Sequence, residues 1–295
     1  MQAPAPSTMM HLAGRSDRRG LAQLGIHLAL LLGSGALVTW AEGIWLVPAV
    51  VLLGLVQAAL FAPFHETMHQ TAFANRRLNA VVGWLAGLPS LFNWHFYQQF
   101  HLAHHRHTQD PAKDPELLAA PIPQDFKGYL KRMLGVGYWA SRARFMRDAL
   151  RGDFSAYPYI HPAAAPRVVR SMRAQLAVTV ALLLLVGLVF GGRALLLFWV
   201  LPQLIGQAAL RLYLFTEHTG CSEDRNGLTN TRTMLTTRAM RLLMWNMPFH
   251  AEHHLYPFIP FHRLGEAHAV LRDRLAHVHP GYASWHAGHL KGMRA

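Results

Sequence analysis

The chain has 295 residues, of which 52 % are apolar and only 15 % charged, with a formal net charge of +13. Soluble domains average about 25 % charged residues, so this balance argues against a soluble domain and for membrane segments. The single cysteine, Cys221, excludes an intrachain disulfide framework and a thiolate zinc cluster. Histidine is the anomaly, with 20 residues, many of them clustered.

Residues 1–20 contain Pro, Ser and Arg and read as a polar N-terminal tail, disordered or peripheral. No secretory signal peptide is expected, because the apolar run that follows lacks an A-x-A cleavage site. Two apolar stretches then stand close together, 21–41 and 44–62. At 1.5 Å per residue, about 19 residues reach about 28 Å, close to the hydrocarbon thickness of a bilayer. The short link makes them a helical hairpin. HETMH follows directly at 65–69. The stretch 78–94 is interrupted by Gly and Pro and reads as a re-entrant or interfacial segment. HLAHH occupies 101–105. Between 126 and 151, apolar and basic residues alternate, and Phe126, Tyr129, Leu130, Met133 and Leu134 share a helical face. One amphipathic helix is expected there, either interfacial or packed in a cap. A second hairpin, 174–191 with 194–215, leads into TEHTG at 216–220 and finally HAEHH at 250–254.

Of the 28 Lys and Arg residues, 26 fall within 1–20, 63–173 and 216–295. The positive-inside rule puts these segments, both termini and every histidine cluster in the cytoplasm. The basic charge then faces anionic headgroups or an acidic electron carrier, and no nucleic acid is needed to explain it. The expected fold is all-α: an integral membrane protein of four transmembrane helices in two hairpins. A helical cytoplasmic cap, 63–173 and 216–295, would hold a dinuclear metal site, with 21–295 forming one domain.

On a helix, residues i and i+4 share a face, so His65 and His69 can reach one metal. His101 precedes His104 and His105 by three and four residues. Adjacent histidines point apart, so one such box can serve two metals. His250, His253 and His254 repeat the pattern. An HxxHH match is expected about 0.1 times by chance at this histidine content, so two copies argue for a site. His218 joins the set as a ninth candidate, because Glu217 beside it and a position at the membrane mouth fit a metal pocket. His95 and His107 stand beside the second box and are open. The remaining histidines, among them His27, His262, His268 and His277, read as surface or packing residues.

Imidazole suits zinc, copper, iron and nickel, and spacing does not choose among them. So many neutral donors argue for two metals, and the membrane setting for a lipophilic substrate. HETMH also matches the H-E-x-x-H zinc-protease signature, with Glu66 as base. That reading leaves two HxxHH boxes unused, and Glu66 is better placed supporting a ligand imidazole. A non-catalytic metal-binding membrane protein is a further alternative. A transporter would need polar groups within the spans, which hold almost none.

HETMH, HLAHH and HAEHH, with the apolar hairpins around them, resemble the membrane fatty acid desaturase/hydroxylase superfamily over about 60–260. HRHTQDPAKDPEL and NMPFHAEHHLYPFIPFHRL resemble its bacterial desaturase-like branch. The resemblance implies a mushroom-shaped four-helix protein in a bacterial inner membrane. Its cap would enclose two irons held by His65, His69, His101, His104, His105, His218, His250, His253 and His254. It also implies that Asn246 stands near one iron through water, with Glu66, Glu217 and Glu252 as outer residues. The activity implied is O2-dependent desaturation of a fatty acyl or lipid chain. Hydroxylation or ketolation of an alkane, carotenoid or smaller metabolite is the alternative. The chain is short for the family and shows no fused carrier, so electrons are expected from a separate ferredoxin, rubredoxin or cytochrome. The third box begins with His250 rather than the glutamine of front-end desaturases.

Overall fold

The computed structural model describes residues 2–293; Met1 of the expected tail and residues 294–295 of the expected domain lie outside the described residues. A short helix, α1 (Pro6–Met9), precedes α2 (Asp17–Trp40). Ser16 caps α2 by accepting from the Arg19 N–H, and Asp17 sits in its first turn, where a negative charge meets the positive helix end. Then come α3 (Leu46–Ala58) and α4 (Phe61–Met68), separated by a two-residue break. The polar N-terminal tail, expected to be disordered or peripheral, is packed. Met9 and Leu12 are buried against Phe249, Tyr256, Ile259 and Leu271 near the other end of the chain. Its composition is polar on average, but these two side chains find an apolar pocket that only the folded C-terminal segment creates.

The stretch 78–94 resolves into α5 (Arg76–Gly87), capped by Asn75 and packed on α4, and then a turn. α6 (Trp94–His107) is capped by Asn93, and the short α7 (Pro115–Ala119) by Asp114. The single amphipathic helix expected over 126–151 is two, α8 (Phe126–Met133) and α9 (Val136–Arg151). Gly135 lies between them at φ 72°, a left-handed conformation that glycine adopts without a Cβ penalty. On α8, Tyr129 and Met133 are buried while Phe126 and Leu130 are exposed.

α10 (Ala165–Leu195), a five-residue π-turn (Leu196–Val200) and α11 (Leu201–His218) follow. Three apolar helices are long enough to cross a membrane: Asp17–Trp40, Gly43–Met68 and Ala165–His218. The last has 54 residues. As one straight helix it would extend about 80 Å, far beyond a hydrocarbon core of about 30 Å. It is not straight: Gly191 has φ 79° and ψ 173°, which breaks the helical path. A Cβ placed on Gly187 would come within 3.2 Å of Leu195 Cδ1, a closeness that eight residues of straight helix do not permit. Around this point Leu184, Leu185, Leu188, Val189 and Phe190 are exposed, a surface that suits lipid rather than water.

The spans also carry more polar groups than the bare sequence suggested, and these join helices. Gln203 Nε2 donates to Gln57 Oε1 at 2.9 Å, Gln57 Nε2 to Phe198 O at 2.8 Å, and the His27 ring to Val56 O at 3.2 Å. α3 packs against both α2 and α11. The α3–α11 contact is backbone to backbone: a Cβ on Gly54 would lie 2.8 Å from Pro202 O, and one on Gly206 would collide with Gly54 O. Small residues permit such close approach in membrane helices. Gly206→Val should therefore destabilise the protein by about 2 kcal/mol or more through overpacking. A thermal melt in detergent that matches the parent would refute this packing account.

The remaining helices are short: α12 (Arg238–Leu243), α13 (His250–Leu255), α14 (Leu264–Leu271) and α15 (Tyr282–Gly292). Two two-residue strands, Thr233–Met234 and Val278–His279, pair in parallel and tie the C-terminal segment to the approach to α12.

Candidate metal centre

Four separate helices deliver the candidate histidines. His65 lies on α4 and His69 just past its end; His101, His104 and His105 lie on α6, His218 is the last residue of α11, and α13 carries His250, His253 and His254. Helical periodicity does the local work: within α6, His101 and His105 share a face, and His104 turns away. The folded chain sorts these residues into two groups. In one, donor nitrogens of His65, His69, His101, His105 and His253 all lie within 4.8 Å of one another. In the other are His104, His218 and His254. His250 adjoins the second group, its Nε2 3.3 Å from His218 Nε2 and its ring centred 4.5 Å from that of His254.

Several nitrogens face one another at about 3 Å: His69 and His101 Nε2 at 2.9 Å, His101 and His105 Nε2 at 3.0 Å, His104 and His218 Nε2 at 3.2 Å. Metal–imidazole bonds of about 2.1 Å at right angles or wider separate co-ligand nitrogens by about 3 Å or slightly more. The donor set also needs something to bind. His65, His101, His104 and His253 are 2 % exposed or less. Both ring nitrogens of His65 and the Nε2 atoms of His253 and His254 are buried without a hydrogen-bond partner among the described residues. Each buried polar atom left so costs about 1–3 kcal/mol. A shared cation would satisfy them together, so the residues present fit a pair of metal ions.

The electrostatics favour the ligating form. Burial, and then the neighbouring imidazoles, push the pKa values of His101, His105, His253 and His254 well below the usual 6.5. These rings are therefore neutral at physiological pH, with a lone pair free. His104 differs. Burial lowers its pKa, but Glu116 and Asp114 outweigh burial and raise it.

The outer residues hold the rings in place, and here the structure departs from sequence reasoning. Asp114 carries no sequence signal beyond its place in DPAKDPEL, yet its Oδ1 accepts from His104 Nδ1 at 2.9 Å. That bond directs the other nitrogen, Nε2, towards His218. Asp114 also accepts from the backbone N–H groups of Gln109 and Glu116, both at 2.9 Å. Burial opposes its ionisation, but the His104 contact and these two N–H groups hold its carboxyl below the usual range. His218 Nδ1 donates to Asn230 O at 3.1 Å, and Thr108 Oγ1 lies 3.3 Å from His254 Nδ1.

Of the expected outer residues, Glu217 lies closest, its Oε2 3.5 Å from His250 Nε2. Glu66 accepts the Phe261 N–H at 2.9 Å, while Asn246 Nδ2 donates to Phe261 O at 3.0 Å. The backbone of Phe261 is thus held at both its N–H and its C=O, which fastens the C-terminal segment to the first box. Glu252 accepts from Thr233 Oγ1 and His268 Nδ1, so it pins α13 to α14. His268, read from sequence as a surface or packing residue, is thereby part of this support. His95 stands outside both groups, edge-on to Trp94, and His107 lines a surface cavity.

Aromatic side chains close the other side. Tyr97 stacks on His101, with centroids 5.3 Å apart and planes 11° from parallel, and Phe61 lies 5.9 Å from the His65 ring. Beyond them opens a cavity of about 470 Å³ that Phe61, Phe92 and Tyr97 help to line.

The chain is similar in sequence to known proteins. Over 276 residues the chain is 27 % identical to dihydrorhizobitoxine desaturase of Bradyrhizobium elkanii, covering 84 % of this chain and 74 % of that protein. Over 109 residues it is 33 % identical to zeaxanthin 4-ketolase of Chlamydomonas reinhardtii, covering 33 % of this chain and 24 % of that one. The family model described as fatty acid desaturase matches residues 42–286, a stretch that contains all nine clustered histidines, and the chain belongs to that family.

Proposed function

We propose that this chain is an O2-dependent di-iron oxidoreductase of the membrane, with desaturation as its reaction. The observation that carries the reading is the sorting of seven box histidines and His218 into two adjacent donor groups. In the proposed assignment His65, His69, His101, His105 and His253 hold one iron, and His104, His218 and His254, with His250 beside them, hold the other. Reduced iron would supply the power to take hydrogen from an unactivated C–H bond, chemistry that no side chain performs alone.

The chain's own residues do the rest. Asp114, Asn230 and Thr108 orient the rings, and burial keeps most of them neutral. The aromatic wall of Phe61, Phe92 and Tyr97 receives an apolar substrate and excludes water from the reacting carbon. The break at Gly191 supports a four-span reading, in which α10 and α11 form a second hairpin beside that of α2 and α3. The distribution of Lys and Arg supports a cytoplasmic cap and termini in a bacterial inner membrane. Electrons would come from a separate ferredoxin, rubredoxin or cytochrome that docks on the basic side. Asn246 and Glu66 act here as fasteners of the Phe261 backbone, a role that suits Glu66 better than that of a protease base.

Similarity to a desaturase over most of the chain supports desaturation. The shorter similarity to a ketolase supports the second reading, oxygen insertion on a related scaffold. Metal analysis of purified protein tests the assignment first, with about two irons per chain expected. One zinc and no iron would overturn it in favour of the zinc-protease reading. Mass spectrometry of lipid and small-metabolite extracts, with and without the protein, would then separate a product lacking two hydrogens from one carrying an added oxygen.

A further inference from the structure

The 470 Å³ cavity carries a charge arrangement that the metal centre does not use. Arg142 on α9 and Arg211 on α11 both line it. The two guanidinium groups share one ring: Arg211 Cζ lies 4.5 Å and Arg142 Cζ 5.5 Å from the centre of Tyr138. Arg142 also stacks near Phe92, at 5.1 Å. Among the described residues neither arginine has a carboxylate within 4.0 Å. Arg142 Nε and Nη1 and Arg211 Nε are buried with no hydrogen-bond partner among the described residues; Arg211 Nη2 donates to Gln207 Oε1 at 3.3 Å. Lys131 and Arg132 stand in the same lining, and the one acidic residue there is Glu116, whose Oε2 is 3.9 Å from His104 Nδ1. Arg132 is already occupied by the carbonyl oxygens of Ala120 and Pro121. Burying a guanidinium without an anion to pair it is costly. Their planar fork matches a carboxylate or phosphate with two parallel bonds.

The cavity is apolar where it approaches the histidines. From Arg142 the path runs over Phe92 at 5.1 Å, from Phe92 to Tyr97 at 6.0 Å, and from Tyr97 to His101 at 5.3 Å. We propose that the substrate carries an anionic group, a carboxylate or a phosphate, that docks on Arg142 and Arg211, with its apolar part laid along Phe92, Phe61 and Tyr97 towards the metal centre. This rests on the oxidoreductase reading above and deepens it. It favours an amphipathic acid or phosphorylated lipid over a neutral hydrocarbon such as an alkane or carotenoid. Docking the charge also sets how far along the chain the reacting carbon lies, since the three steps span at most about a dozen C–C bonds.

The test is calorimetric titration of the purified, metal-loaded protein in detergent with three probes of equal chain length: decanoate, decyl phosphate and decanol. One or both anions should bind more tightly than decanol. Arg142→Gln and Arg211→Gln should each weaken anion binding about 10-fold or more, the loss expected for a charge-assisted bond. Decanol binding should be unchanged. Arg142→Lys and Arg211→Lys should keep part of the affinity, because charge is retained and the fork is not. Preference for decanoate identifies a free acid as the source of the anion, and preference for decyl phosphate a phosphorylated head; either supports the site. Equal binding of all three probes to the parent, or Gln variants that melt normally and bind anions like the parent, would overturn it. Iron content is measured separately on each sample. A chain without iron that still discriminates anions keeps this site and loses the oxidoreductase reading. A chain with two irons and no discrimination does the reverse.

Discussion

His253→Ala should lose metal and turnover together, with activity down more than about 100-fold. The basis is that removal of even a supporting residue around a metal costs about 10- to 100-fold. His253 stands at the centre of the larger donor group, its ring 4.7 Å from that of His65, 4.6 Å from that of His69 and 4.9 Å from that of His105. These rings come from α4, its end, and α6, so one imidazole on α13 joins the first and second boxes to the third. His104→Ala should behave alike through the other group, where His104 faces His218 at 3.2 Å. Metal content and product formation are to be measured on the same preparation. Full metal and substantial activity in either variant would remove the proposed ligand set. His277→Ala is the control: its ring belongs to neither donor group, and the variant should stay within a few-fold of the parent.

The second large effect is expected at Asp114. Its carboxylate holds His104 in the orientation that presents Nε2 to the site, so Asp114→Ala should weaken metal affinity about 10- to 100-fold. Asp114→Asn should lose less, because an amide oxygen still accepts from Nδ1–H but without the charge. Competition against a calibrated chelator reads this directly. Parent affinity in the alanine variant would show that the carboxylate serves only the turn through Gln109 and Glu116. A loss confined to stability, with affinity intact in the folded fraction, would lead to the same conclusion.

The histidine boxes were legible because their information is local. Three residues at i, i+3 and i+4 on a helix must share a face or split around it, whatever the rest of the chain does. Asp114 was not legible, because an aspartate between Lys and Pro reads as a helix cap, and it is one: it accepts from the Glu116 N–H as well as from His104. Only the path of the chain from 104 to 114 brings the cap back to the ring. Asn246 and Glu66 were placed near the site by motif, but their hydrogen bonds go to the Phe261 backbone, a partner no spacing rule names. The same limit applies to 126–151, where a periodic face suggested one helix and the left-handed Gly135 made two.

By itself, the sequence determined that this chain belongs with apolar helices, that it carries clustered histidines suited to metal, and that these candidate donors occur in three boxes plus His218. These properties follow from composition and from the 3.6-residue period, which act within a few turns of chain. Tertiary structure alone decided which histidine joins which group, which carboxylates support them, and where the tail packs. It also placed Arg142 and Arg211 on one tyrosine ring although 69 positions separate them in sequence. Such pairings depend on how distant helices pack, and packing is settled by the whole core at once rather than by any one segment.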